Sequence, residues 1–202
     1  MVRRLVFAAG VVLVTVALAG PKVKFGLKAG QFDAAACTGR FRLVDTLLPS
    51  FDSAELRVVG ETLVLESAGQ PCARAKSREA CLARVASATS TRGWAVGSNG
   101  RRETLRYLVA TRGDDVVVMD AASQVTTALG SIDSAQKAAA VAYLARGYVP
   151  ACESSVRAVT GGYEVHLTSA SCRGPADLVV RVSSSGEVTV VAEQYGRPTC
   201  VG

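Results

Sequence analysis

"IDSAQKAAAVAYLARGYVPACESSVRAVTGGYEVHLTSASC", residues 132 to 172, decides the fold, because a helix signature is followed there at once by a β-hairpin signature. Asp133 precedes the apolar run as an N-cap, with Gln136 three residues on to complete a reciprocal capping arrangement. Ala138, Val141, Ala142 and Ala145 then supply an apolar stripe, and Gly147 ends the helix. Beyond it, a two-residue turn at Gly161-Gly162 predicts Val156 facing Leu167, Ala158 facing Val165 and Thr160 facing Tyr163, which makes one face of the hairpin apolar. Glu164, His166 and Thr168 take the other face. The chain's only histidine is therefore expected on a solvent-exposed strand position or in a shallow groove, where it suits no catalytic role. The same register sets Cys152 opposite Ser171, so a bridge from Cys152 to Cys172 requires a one-residue bulge within "TSASC".

The same order of elements occurs upstream. "SREACLARVASAT" begins with Ser77, a residue suited to cap a helix, and Leu82, Val85 and Ala86 fall on one face. "GWAVGSNGRRETLRYLVATRGDDVVVMD" follows, with hairpin turns signalled by Asn99-Gly100 and Arg112-Gly113-Asp114. Three antiparallel strands result, and a two-residue turn at Asn99-Gly100 sets Trp94 across from Leu105. After the second helix, strands are expected over 148–159, 163–170, 178–183 and 187–192. Arg92-Gly93-Trp94 echoes Arg146-Gly147-Tyr148, which suggests an internal repeat. The expected fold is α+β: two helix-then-antiparallel-meander units, residues 77–130 and 131–202, forming a helix-backed sheet stapled by disulfides. Residues 20–76 form a β-rich N-terminal segment with a hairpin, "ELRVVGETLVLE", turning at Gly60-Glu61.

Arg3 and Arg4 precede an uncharged run, "LVFAAGVVLVTVAL", that ends in Ala17-Leu18-Ala19 before Gly20. Residues 1–19 read as an export signal cleaved to leave Gly20 first, with retention as a membrane anchor the competing reading. Pro21 after "LAG" argues against a lipoprotein. Loss of the two arginines lowers the formal charge from +6 to +4. The remaining basic residues are scattered and aromatics are few, so nucleic acid is not an expected partner, and neither is stable membrane insertion after cleavage.

Six cysteines in an exported chain are expected as three disulfides. No C-x-x-C occurs, which argues against a zinc knuckle or a thioredoxin-type pair. Among about 15 possible connectivities, the nested one ranks first: Cys37 with Cys200, Cys72 with Cys81 and Cys152 with Cys172. This places the protein in the periplasm or outside the cell.

Catalytic motifs are sparse. Ser134-Ala-Gln-Lys137 matches the S-x-x-K of penicillin-recognising serine enzymes, but no K-T-G accompanies it. Asp114-Asp115 at a hairpin tip suggests a solvated turn rather than a cation site. There is no G-x-S-x-G, H-E-x-x-H or Gly-rich phosphate loop, and no catalytic, metal or cofactor residue is expected. The helix "SAQKAAAVAYLARG" followed by "GGYEVHL" and "DLVVRVSSSGEVTVV" resembles the PepSY-type module of exported bacterial proteins. Two such units in tandem with local disulfides resemble the secreted beta-lactamase inhibitor proteins, over residues 77–193. The resemblance implies a concave sheet, backed by helices, that binds another protein without a cofactor. The leading expectation is an exported bacterial, non-enzymatic binding or inhibitory protein presenting a sheet face to a protein partner. The alternative is an envelope-associated serine hydrolase using Ser134 and Lys137.

Overall fold

The computed structural model describes residues 41–95, 104–147, 156–168 and 177–194. After a short 3₁₀ turn, Val44–Leu47, come β1 (Ser53–Val58), β2 (Val64–Gly69), α1 (Arg78–Ser87), β3 (Trp94–Ala95), β4 (Leu105–Arg112), β5 (Asp115–Met119), α2 (Ala122–Leu129), α3 (Ala135–Arg146), β6 (Val156–Val159), β7 (Gly162–Thr168), β8 (Asp177–Ser183) and β9 (Val188–Gln194). The class is α+β, with the strands in two antiparallel sheets. In the first, β2 pairs β1 and β1 pairs β4, while β3 and β5 share the far edge of β4. The second runs β6-β7-β8-β9.

The first sheet is covered on both faces: β4 is buried continuously from Tyr107 to Thr111, while β1 alternates Ala54, Leu56 and Val58 on its inner side with Ser53, Glu55 and Arg57 on its outer side. On its outer face lies α1; of the stripe expected from periodicity Val85 is buried, together with Cys81, whereas Leu82 and Ala86 point to water. What turns the helix is the disulfide between Cys72 and Cys81, with Cα atoms 6.0 Å apart, which ties the loop before α1 to its first turn. Cys37, Cys152, Cys172 and Cys200 lie outside the described residues. Ser77 stands at the N-cap of α1, but its side chain makes no cap bond there; its N–H instead donates to Asp114 Oδ1 at 3.1 Å.

On the inner face, Ala54, Leu56, Leu108, Ala110 and Met119 join one continuous core with Val44, Leu47, both remaining helices and the inner face of the second sheet. The centre of that core is α3. Every residue from Ala138 to Leu144 is buried, and a helix buried all round must be enclosed by other elements on every side. The second sheet covers one side; α2 and the 3₁₀ turn cover another, and Tyr143 reaches β4 through Arg106. Ser134, not Asp133, is the N-cap, its Oγ accepting the Lys137 N–H at 3.3 Å. Gly147 ends α3 with a left-handed backbone (φ 68°) and donates to the Tyr143 carbonyl at 2.7 Å. Ala145 is exposed rather than part of the buried stripe.

Two turns differ from expectation. The second-sheet hairpin turns at Thr160-Gly161, so Val156 faces Val165 and Ala158 faces Tyr163. A slip of two residues preserves the faces, and the apolar side still meets α3. Trp94 pairs with Arg106 and Ala95 with Leu105, a slip of one that places Trp94 beside a charge instead of Leu105; the Asn99-Gly100 signal lies outside the described residues. The hairpin at Gly60-Glu61 is present between β1 and β2. The suggested repeat is not carried by equivalent positions, since Gly147 is a helix cap whereas Gly93 lies beyond α1, so close to β4 that a Cβ would sit 2.5 Å from the Arg106 carbonyl oxygen. No helix among the described residues is long and apolar enough to cross a membrane.

If α3 is packed from all sides, Ala140→Leu should overpack it and cost about 1–3 kcal/mol in urea titrations, whereas Ala145→Leu should change stability by less than ~0.5 kcal/mol.

Candidate functional site

Two polar constellations stand out against this apolar frame. One lies on the outer face of the second sheet, where strand pairing aligns Arg157, Glu164 and Arg181 side by side on β6, β7 and β8. Glu164 Oε2 accepts from Arg157 Nε at 2.9 Å and Nη2 at 2.5 Å, and Glu164 Oε1 accepts from Arg181 Nη2 at 2.7 Å. The carboxylate is 5% exposed while both arginine side chains are about half exposed. Burial alone would push the Glu164 carboxyl up, but the hydrogen bonds and charges of Arg181 and Arg157 outweigh it and hold the group below the usual glutamate range. The face expected to be solvated is thus a ladder around a buried charge. His166 sits on the same face, opposite Val179, half-buried and with interactions of its own.

The other constellation lies on the inner face of the first sheet, where α3 approaches β4. Arg106 Nη1 donates to the Tyr143 hydroxyl at 2.9 Å, and the Tyr143 ring packs on Phe41 with centroids 5.7 Å apart. Trp94 is the strand neighbour of Arg106, and Glu66 on β2 presents its carboxyl to the same face. Burial pushes the Tyr143 hydroxyl up; the Glu66 charge adds to this and Arg106 opposes it. Three buried side-chain atoms have no hydrogen-bond partner among the described residues, and all belong here: Glu66 Oε2, Trp94 Nε1 and Arg106 Nε.

Asp52 has a structural part. Its 2%-exposed carboxylate accepts the Gly113 N–H at 2.8 Å and pairs with Arg74, binding the β4–β5 turn to the loop that carries Cys72. Burial raises its pKa, but the Gly113 and Arg74 hydrogen bonds more than reverse that. Asp114 serves the same turn through Ser77, and no group of three or more potential metal ligands occurs among the described residues. Ser134 Oγ is occupied as a helix cap, and Lys137 Nζ binds Asp133 and the Ser131 carbonyl, both at 3.1 Å. Both residues of the S-x-x-K pair thus bond locally at the start of α3. Comparisons with protein-family models, with curated proteins and with solved structures give no match, so the side chains themselves carry the functional argument.

Sequence reasoning overlooked both constellations. The alternation of Arg157, Glu164 and Arg181 was visible, yet it becomes a ladder only in the observed register. Glu164→Gln should lower stability near pH 7 by about 1.5–3 kcal/mol, the range for hydrogen bonds to charged groups. Because the folded-state pKa is depressed, this contribution is present above the unfolded-state value and is lost as pH falls through the folded one. Urea titrations should find the gap between wild type and variant widest near neutrality and closing progressively below about pH 4.5.

Proposed function

We propose that the chain is an exported, non-enzymatic binding or inhibitory protein whose partner is another protein, engaged through side chains at the β2 edge of the first sheet. The observation that carries this is the run Leu63, Val64 and Leu65, which remains 51%, 42% and 40% exposed although all three are large and apolar. Solvated apolar residues scattered singly are ordinary, but three in sequence at one sheet margin offer apolar anchors on either side of it.

The backbone of this edge is poorly suited to receiving a further strand. β2 is bulged against the Leu56-Arg57 step of β1, and the Arg42 guanidinium occupies the Ser67 carbonyl. Both features discourage indiscriminate strand addition. Recognition then falls to side chains, where apolar anchors in a desolvated contact contribute most of the binding energy. Export rests on residues 1–19, and the Cys72–Cys81 disulfide suits an oxidising compartment, periplasmic or extracellular.

Affinity capture from the native envelope or medium, run in parallel with wild type and a Leu63→Lys/Leu65→Lys double variant, tests this reading. Wild type should retain a stoichiometric protein that the variant binds at least about tenfold more weakly, with fold stability changed by less than ~0.5 kcal/mol. Equal retention by both chains, or no retained protein on wild type, overturns it.

A further inference from the structure

Of the ten residues in α1, only Cys81 and Val85 are buried, and the other eight face water. Isolated helices shorter than about 12–15 residues are marginal in water, and one buried valine is a small return for ordering such a segment. Its other ties are polar. Arg57 Nη1 and Nη2 donate to the Ala88 and Val85 carbonyls at 2.9 and 3.2 Å, and Arg84 Nη2 donates to the Asp114 carbonyl at 2.5 Å. Arg57 also binds Glu55 Oε2 through Nε and Nη2, so its charge stays paired whether or not the helix is in place. The remaining hold is the Cys72–Cys81 bond. Cys72 itself belongs with the sheet: its N–H donates to Thr111 Oγ1 of β4 at 3.2 Å, and that hydroxyl bonds Ser53 Oγ of β1 at 2.9 Å. Its backbone is left-handed (φ 56°), a conformation unfavourable for a residue with a Cβ.

We infer that α1 is a redox-released cover over the outer face of the first sheet. A dithiol reductant opens the Cys72–Cys81 bond in successive exchanges. Its thiolate attacks one protein sulfur, forming a mixed disulfide and expelling the other cysteine as thiolate; its second thiol then displaces the first protein sulfur. The reductant leaves as a disulfide, and its electrons and protons end on Cys72 and Cys81 as two thiols. Both cysteines are buried, so attack waits on local opening of the loop 73–80, which is exposed at every residue but Ala75. Cys72 then stays with β4 through Thr111, and Cys81 departs with α1. The uncovered surface is apolar: Val109 on β4 pairs with Val118 on β5, and Thr111 with Val116, on the side of the sheet opposite Leu108, Ala110 and Met119. In an oxidising compartment the cover is shut, and reduction bares a valine-lined face. Leu63, Val64 and Leu65 take no part, so the inference stands apart from the proposed partner surface.

Two measurements on the full chain test this. In the first, a Cys72→Ala/Cys81→Ala double variant, folded under oxidising conditions, is compared with wild type by native-state hydrogen exchange. The amides of Leu82 to Ser87 should lose protection to the level of frayed chain ends, while those of Leu108 to Ala110 on β4 and Ala139 to Leu144 on α3 keep theirs. In the second, oxidised wild type is treated with graded dithiothreitol; one portion is alkylated and mapped by mass spectrometry, and another is followed by hydrogen exchange and a fluorescent apolar dye. Cys72 and Cys81 should take the label, α1 should lose protection and dye emission should rise at a reductant concentration that leaves β4 protected. This second measurement starts from the assembled protein and decides the matter if the double variant does not fold. Protection of α1 that survives loss of the bond, loss of β4 protection together with α1, or labelling of Cys72 and Cys81 only on global unfolding would overturn the proposal.

Discussion

The enclosure of α3 is the constraint on which the rest of the molecule depends. Seven successive residues, Ala138 to Leu144, are buried, so no face of this segment is left for water. Most of them are alanines, which contribute little apolar area but let a sheet approach the helix backbone closely. The compensating area comes from the partners: Val165, Leu167, Val180 and Val182 from the second sheet, and Val44, Leu47 and Leu56 from the other side, all essentially inaccessible to solvent. At about 25 cal/mol per Å² of apolar surface removed from water, such side chains contribute about 1.5–3 kcal/mol each. The two ends of the helix, where Ala135, Gln136, Ala145 and Arg146 are exposed, are closed by Ser134 and Gly147.

Around this apolar centre, charged groups fix the parts that packing does not. Asp52 and the Cys72–Cys81 disulfide fasten the outer loops and α1 to the β4–β5 turn. Glu164 performs the corresponding work across β6, β7 and β8, binding three strands through two arginines. Both carboxylates are held ionised by partners despite burial, so each anchor depends on pH in the same direction and weakens in acid. Arg106 is unlike either: it is half-buried and joins β4 to α3 by donating to the Tyr143 hydroxyl.

The helix α3 was legible because its signals are local: a capping residue, a run of apolar residues and a terminating glycine, displaced only by one residue at Asp133. The strands were legible for the same reason, and face parity survived an incorrect turn because β-structure repeats every two residues. α2 was missed. It spans only Ala122–Leu129, contains β-branched Val125, Thr126 and Thr127, and starts at an alanine, with Gln124 reaching back to the N–H groups of Asp120 and Ala121. The direction of α1 was missed as well, because a crosslink at Cys81, not the apolar moment, sets which side faces inward. The Trp94 cluster depends on a one-residue slip and on a contact between residues 106 and 143, and neither has a short-range signal.

If α3 joins the two sheets into one cooperative body, its backbone can be exposed only when both sheets unfold. Native-state hydrogen exchange followed at increasing urea measures this directly. The amides of Ala139 to Leu144, together with those of Val109 on β4 and Val180 on β8 that bond within their sheets, should exchange through a single opening whose free energy equals that of global unfolding. Exchange of the α3 amides together with β8 at a distinctly lower free energy than β4 would contradict it, and would make the two sheets separately folding units.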